Sequence, residues 1–78
     1  MIIKVLGMGC KKCQTLEERV KTLVKENNID AEVEKVTDMQ AIMKYKIMMT
    51  PGLVINEIVK SAGIIPKDEQ LLQWLKEN

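Results

Sequence analysis

The order of apolar patterns in this chain predicts an α/β fold: a mixed four-stranded sheet lying between helices, in the order β-α-β-α-β-β-α. Three observations carry that expectation. Short apolar runs at Ile2–Leu6 and Ala31–Val36 flank one long helical stripe, the layout of a strand–helix–strand unit. Thr50-Pro51-Gly52 breaks the pattern ahead of two further short strands. A last helical stripe runs over Lys67–Lys76. The length of 78 residues suits one domain over residues 1–78, and 46% hydrophobic with 29% charged residues is the balance of a globular chain.

The elements follow in order. Ile2–Leu6 is a buried strand ended by Gly7 and Gly9, which announce a tight loop. From Lys11 the period becomes helical. Cys13, Leu16, Val20, Leu23 and Val24 form one apolar stripe, while Glu17, Glu18, Arg19, Lys21 and Lys25 take the wet faces. Asn27-Asn28 is the stop. Ala31–Val36 is the second strand, and a single helical crossover makes it parallel to the first, with a right-handed connection. Thr37-Asp38-Met39-Gln40 has the capping-box pattern, with Thr37 as the expected N-cap of a short helix. That helix carries Met39, Ile42 and Met43 on one side. Leu53–Asn56 and Ile58–Ser61 are short strands joined at Asn56-Glu57, where asparagine suits a tight turn. Gly63 and Pro66 mark the next break. In the final helix Asp68 and Glu69 lie near its positive end, and Leu71, Leu72 and Leu75 face inward. Trp74 is expected to pack against the sheet.

Charge excludes some functions. Twelve basic against eleven acidic side chains give no electrostatic reason for a nucleic acid or an anionic membrane as partner. Tyr45 and Trp74 are the only aromatics, too few for a base-stacking platform. No run of apolar residues is long enough to span a membrane. The start Met1-Ile2-Ile3-Lys4 lacks the plan of a signal peptide, so a cytoplasmic protein is expected.

The chain has no histidine, which removes His nucleophile activation, His acid–base work and His metal ligands together. The remaining chemistry rests on Cys10 and Cys13. A bridge between them closes almost no loop and would staple nothing, so the pair is reactive or metal-binding rather than structural. It follows the first strand and opens the first helix, the context in which Cys-x-x-Cys is a redox motif. Cys10 falls at the N-cap or just before it, where free N–H groups and the positive helix end favour a thiolate. Lys11 and Lys12 add positive charge beside it. Cys13 lies one turn on and leads the apolar stripe, so it is the less exposed and less ionised sulfur. A metal reading also fits the residues. Met8-Gly9-Cys10-Lys11-Lys12-Cys13 matches the Met-x-Cys-x-x-Cys loop of small copper-carrying domains, and two thiolates suit a soft Cu(I) ion. Those domains end on a strand, whereas this chain ends on the helix over Asp68–Lys76. Closed zinc coordination would need ligands from a second chain. Met39, Met43, Met48 and Met49 are expected as flexible core lining rather than a thioether cluster, with Met48-Met49 also bordering the Cys10 groove.

Two segments carry a family resemblance: Gly7-Met8-Gly9-Cys10-Lys11-Lys12-Cys13 after the first strand, and Thr50-Pro51-Gly52-Leu53-Val54-Ile55-Asn56 before the hairpin. With them the chain resembles the small archaeal and bacterial redox-active disulfide proteins of the thioredoxin/glutaredoxin superfamily, over nearly its whole length. The resemblance implies a thioredoxin-like fold and thiol–disulfide oxidoreductase activity. It implies no bound cofactor beyond the Cys10–Cys13 disulfide. Its partners would be disulfide-containing protein substrates and a reductase or dithiol donor that the sequence does not name, with the protein a monomer. It further implies a cis Thr50–Pro51 bond facing the disulfide and a Thr50 backbone offered to an extended substrate. Lys-Lys between the cysteines departs from the Gly-Pro of typical thioredoxins and the Pro-Tyr of typical glutaredoxins. No aromatic residue precedes Cys10. The expected site is therefore Cys10 and Cys13 for catalysis, Thr50 and Pro51 for substrate binding, and Lys11 and Lys12 for thiolate stabilisation, with a soft-metal carrier as the alternative function.

Overall fold

A computed structural model describes residues 1–77. The elements run β1 (Ile2–Leu6), α1 (Lys11–Glu26), β2 (Glu32–Val36), α2 (Met39–Lys44), β3 (Gly52–Ile55), β4 (Ile58–Ala62) and α3 (Asp68–Lys76). The order is the expected one. The sheet order is β2-β1-β3-β4, with β1 parallel to β2 and antiparallel to β3, and β3 antiparallel to β4. The short β3–β4 hairpin makes the antiparallel half. The helical crossover through α1 makes the parallel half.

Alternation along the central strands sorts their side chains onto two faces. Ile3 and Val5 of β1, with Leu53 and Ile55 of β3, meet Leu16 and Val20 of α1 and Leu71 and Leu75 of α3. Leu6 and Val54 point the other way and meet Ile42 of α2. The result is three layers, α1 and α3 on one face and α2 on the other. The core is unequal, because α2 has six residues and buries Ile42 alone. Trp74 packs partly buried against the larger cluster, as its sequence context leads one to expect.

Turn chemistry follows the residues. Asn27 caps α1 through its backbone N–H and its side-chain amide, both donating to the Leu23 carbonyl, and Asn28 takes φ 51°. Asn56 and Glu57 both have positive φ, 49° and 69°, as a two-residue hairpin loop of the primed type requires. Glu57 is an unusual occupant of that position, and its side chain shows what holds it. Its carboxylate accepts from Lys4 Nζ at 2.7 Å and from Tyr45 Oη at 3.0 Å, while Lys4 Nζ also donates to Tyr45 Oη at 3.0 Å. This cluster ties β1, the end of α2 and the hairpin together on the face that α2 covers thinly.

Two expectations fail. The N-cap of α2 is Asp38, not Thr37: the Asp38 carboxylate accepts from the Gln40 N–H at 3.3 Å. Aspartate caps at least as well as threonine, so the helix starts one residue later than the capping-box pattern suggests. Nor do the methionines line the core. Met39, Met43, Met48 and Met49 are 55%, 65%, 97% and 65% exposed. A helix of six residues has room for one buried contact, which Ile42 takes. Met48 and Met49 lie in the loop before β3, where helical spacing no longer applies.

The Lys4–Glu57 contact has a pH consequence. Its hydrogen bonds to Lys4 and then Tyr45 hold the Glu57 carboxyl below the usual carboxylate range, and those to Glu57 and Tyr45 raise Lys4. Depression of Glu57 in the folded state means its contribution is present above the unfolded carboxylate value of about 4.3 and is lost as pH falls through the lower folded value. Lys4→Met should therefore lower the urea midpoint at pH 7, and the gap to the parent protein should narrow by pH 3. A gap that stays constant across that range would show that Lys4 acts by packing alone.

Candidate active site

The site forms where β1 ends and α1 begins. Gly7 is buried and extends the β1–β2 ladder by one bond, its N–H donating to the Val36 carbonyl at 2.9 Å. Gly9 then takes φ +87°, a left-handed turn that glycine enters without steric cost. The turn brings Cys10 to the N-cap of α1 in an extended conformation, φ −67° and ψ 162°. The loop is pinned by Gln14, whose Nε2 donates to the Gly9 carbonyl at 3.2 Å.

Cys10 and Cys13 are joined by a disulfide with their Cα atoms 5.1 Å apart, within the ordinary range for such a bond. The two ends differ in setting. Cys10 is exposed, and its Sγ accepts a hydrogen bond from the Cys13 N–H at 3.2 Å. Cys13 is only 3% exposed and heads the buried stripe of α1 that continues through Leu16 and Val20. Helical geometry dictates this difference. The N-cap residue sits outside the helix, facing its unpaired N–H groups, while the third residue along points back over the sheet.

The other expected residues divide. Lys11 and Lys12 are exposed in the first turn of α1, which contains no acidic residue to oppose them. Thr50 and Pro51 belong to the loop before β3, and this loop reaches the disulfide: Gly7 lies between Cys13 and Thr50, its open side facing both. The Thr50–Pro51 peptide bond is cis. Pro51 is fully buried, and its carbonyl accepts from the Gly63 N–H at 2.8 Å, tying this loop to the end of β4. Thr50 is exposed, and no hydrogen bond among the described residues engages its main chain. Met49 packs on Gly63, and Met8 is 61% exposed beside Gly9. Methionine thus sits on both loops next to the disulfide. Among the described residues no group of three or more His, Cys, Asp or Glu side chains gathers as a metal site.

An exposed sulfur at a helix N-terminus, bonded to a buried one three residues on and approached by the loop before β3, defines a thiol–disulfide oxidoreductase of the thioredoxin fold. Comparison with known proteins agrees. A family model described as a thioredoxin domain matches residues 1–76. A thioredoxin of Methanocaldococcus jannaschii is 38% identical over 76 residues, covering 97% of this chain and 87% of that protein. A thioredoxin of Methanothermobacter thermautotrophicus is 37% identical over 75 residues, covering 96% and 97%. The chain belongs to the thioredoxin-domain family, and its activity is thiol–disulfide exchange.

Sequence reasoning missed the closeness of Gly7 to the Cys13 sulfur. The signal was weak: a glycine after a strand is ordinarily explained by the turn it begins, and here the side it leaves open matters as well.

The difference in burial sets an order of reactivity. After reduction, iodoacetamide at neutral pH should alkylate Cys10 at least tenfold faster than Cys13, as read by peptide mass spectrometry over time. Equal rates, or faster labelling of Cys13, would reverse the assignment.

Proposed function

We propose that Cys10 is the attacking thiol and Cys13 the resolving thiol of a dithiol-dependent disulfide reductase. The observation that carries this reading is the unequal setting of the two sulfurs, one exposed at the start of α1 and the other buried beneath it. In the dithiol form the helix N-terminus favours the Cys10 thiolate, and Lys11 and Lys12 add to the local positive field. That thiolate attacks one sulfur of a substrate disulfide, forms a mixed disulfide and expels the other sulfur as a thiolate. Cys13, as thiolate, attacks the Cys10 sulfur and expels the second substrate thiolate. Two electrons pass from the protein dithiol to the substrate, and the Cys10–Cys13 disulfide remains. Transfer from a reductase or another dithiol donor returns the pair to the dithiol.

Thr50 and Pro51 are the substrate-binding pair of this reading. An extended segment next to the disulfide would meet a Thr50 main chain whose N–H and C=O are unengaged among the described residues. The exposed thioethers of Met8, Met48 and Met49 supply an apolar rim able to adapt to different side chains. The redox disulfide is the only reactive group the cycle requires, so no bound cofactor enters it. Residues 1–78 act as one domain, as a monomer, on disulfide-containing proteins in the cytoplasm. Among the described residues no helix is long and apolar enough to cross a membrane.

Single substitutions separate the steps. Cys10→Ser should abolish reduction of insulin or a dithionitrobenzoate-type disulfide. Cys13→Ser should still attack but stall, accumulating a mixed disulfide that non-reducing electrophoresis resolves and dithiothreitol dissolves. Retained turnover in Cys10→Ser would overturn the assignment.

A further inference from the structure

We infer that Gly7 is a positioning residue for the disulfide, its missing side chain forming the seat in which the Cys13 sulfur rests. The inference rests on the redox reading of the Cys10–Cys13 pair and adds a residue to that site. Gly7 is buried at the end of β1 and held there by its bond to the Val36 carbonyl at 2.9 Å. A Cβ placed on it would collide with the Cys13 Sγ and come within 2.9 Å of the Cys13 Cβ, while Thr50 Cβ stands at 3.9 Å. The clash falls on the sulfur and its own carbon, not on the tip of a flexible side chain. Gly7 is not among the positive-φ glycines, which are Gly9 and Gly63, so the backbone itself has no need of glycine here. What position 7 requires is the absence of a Cβ, and the requirement comes from Cys13.

The two redox states meet that requirement differently. In the disulfide, Cys13 Sγ is fixed by its bond to Cys10, and Cys10 is fixed as the N-cap of α1. The sulfur has nowhere else to go. In the dithiol, Cys13 can rotate about its Cα–Cβ bond and move its sulfur away from β1, which relieves the closer of the two contacts, while the contact with the Cys13 Cβ is the same in both states. A methyl group at position 7 therefore raises the energy of the disulfide more than that of the dithiol. Gly7 thus favours the oxidised form and keeps Cys13 buried, and any side chain there makes the protein a stronger oxidant.

The test is Gly7→Ala, equilibrated in dithiothreitol redox buffers and compared with the parent protein. The disulfide should lose at least tenfold in its equilibrium constant, a shift of about 30 mV toward a more oxidising potential. Leu75→Ala, a core substitution on α3, serves as control: it should lower the unfolding midpoint and leave the potential where it is. An unchanged potential in Gly7→Ala, or an equal shift in Leu75→Ala, overturns the inference. Should Gly7→Ala fail to fold, Gly7→Ala/Cys13→Gly decides. Removing the Cys13 Sγ and Cβ together should restore a folded chain by circular dichroism, and a double variant that also fails to fold overturns the inference. Failure of the redox reading itself is seen separately, as a parent protein whose cysteines do not cycle in the same buffers.

Discussion

Strand β1 carries two ladders at once, parallel to β2 and antiparallel to β3, and the other elements take their positions from it. Its five residues divide between two cores: Ile3 and Val5 anchor the layer of α1 and α3, and Leu6 anchors the layer of α2. A shift of one residue in its register would exchange those faces and strand Lys4 in the larger core. Because β1 is fixed on both sides, so is the point at which it ends. The disulfide sits one tight turn beyond that point.

Placement at the end of a central strand explains how a chain of this size holds a reactive pair in a defined geometry. The sheet fixes Gly7, the left-handed turn at Gly9 redirects the chain, and α1 begins with Cys10 as its cap. The two cysteines then acquire different environments at the start of α1. One sulfur meets open N–H groups and solvent, and the other is drawn under the helix by the stripe that buries Leu16 and Val20. The loop before β3 arrives at the same place because β3 is the antiparallel neighbour of β1. Gly52 pairs with Leu6, so the residues just before Gly52 must lie beside those just after Leu6. Strand pairing thus brings Thr50 beside Gly7 and the Cys13 sulfur.

The second layer is the weaker half of the structure. α2 offers one buried residue, and the rest of that face is closed by Val36, Tyr45 and Ile47. The Lys4–Tyr45–Glu57 cluster occupies the same side and links three elements through exposed or partly exposed polar groups. Exposed ion pairs contribute little on their own. Here the geometry also holds Glu57 in a left-handed turn position that the residue itself does not favour. The methionines left outside by the short α2 and the loop after it form an apolar, deformable surface instead of core.

Much of this was written in the sequence, because local rules determine it. Period set the strands and helices, the single crossover made β1 and β2 parallel, and Asn56-Glu57 placed the hairpin. The strand–turn–helix context of Cys10-Lys11-Lys12-Cys13 was enough to predict which sulfur is exposed and which is buried, since the difference arises within one helical turn. The resemblance carried by Thr50-Pro51 pointed to the cis bond and to a loop near the disulfide. Other features depended on contacts between distant residues, where the sequence pattern is silent. Asp38 displaced Thr37 as cap because both can cap and the path of the chain chooses between them. Met39 and Met43 have core spacing, but the six-residue α2 has room for one buried contact with the sheet, and Ile42 takes it. Glu57 in its turn makes sense only beside Lys4, 53 residues away. Gly7 and Cys13 are a case of the same kind: that a glycine faces a sulfur is decided by how α1 lies over the end of β1, and only packing in three dimensions fixes that.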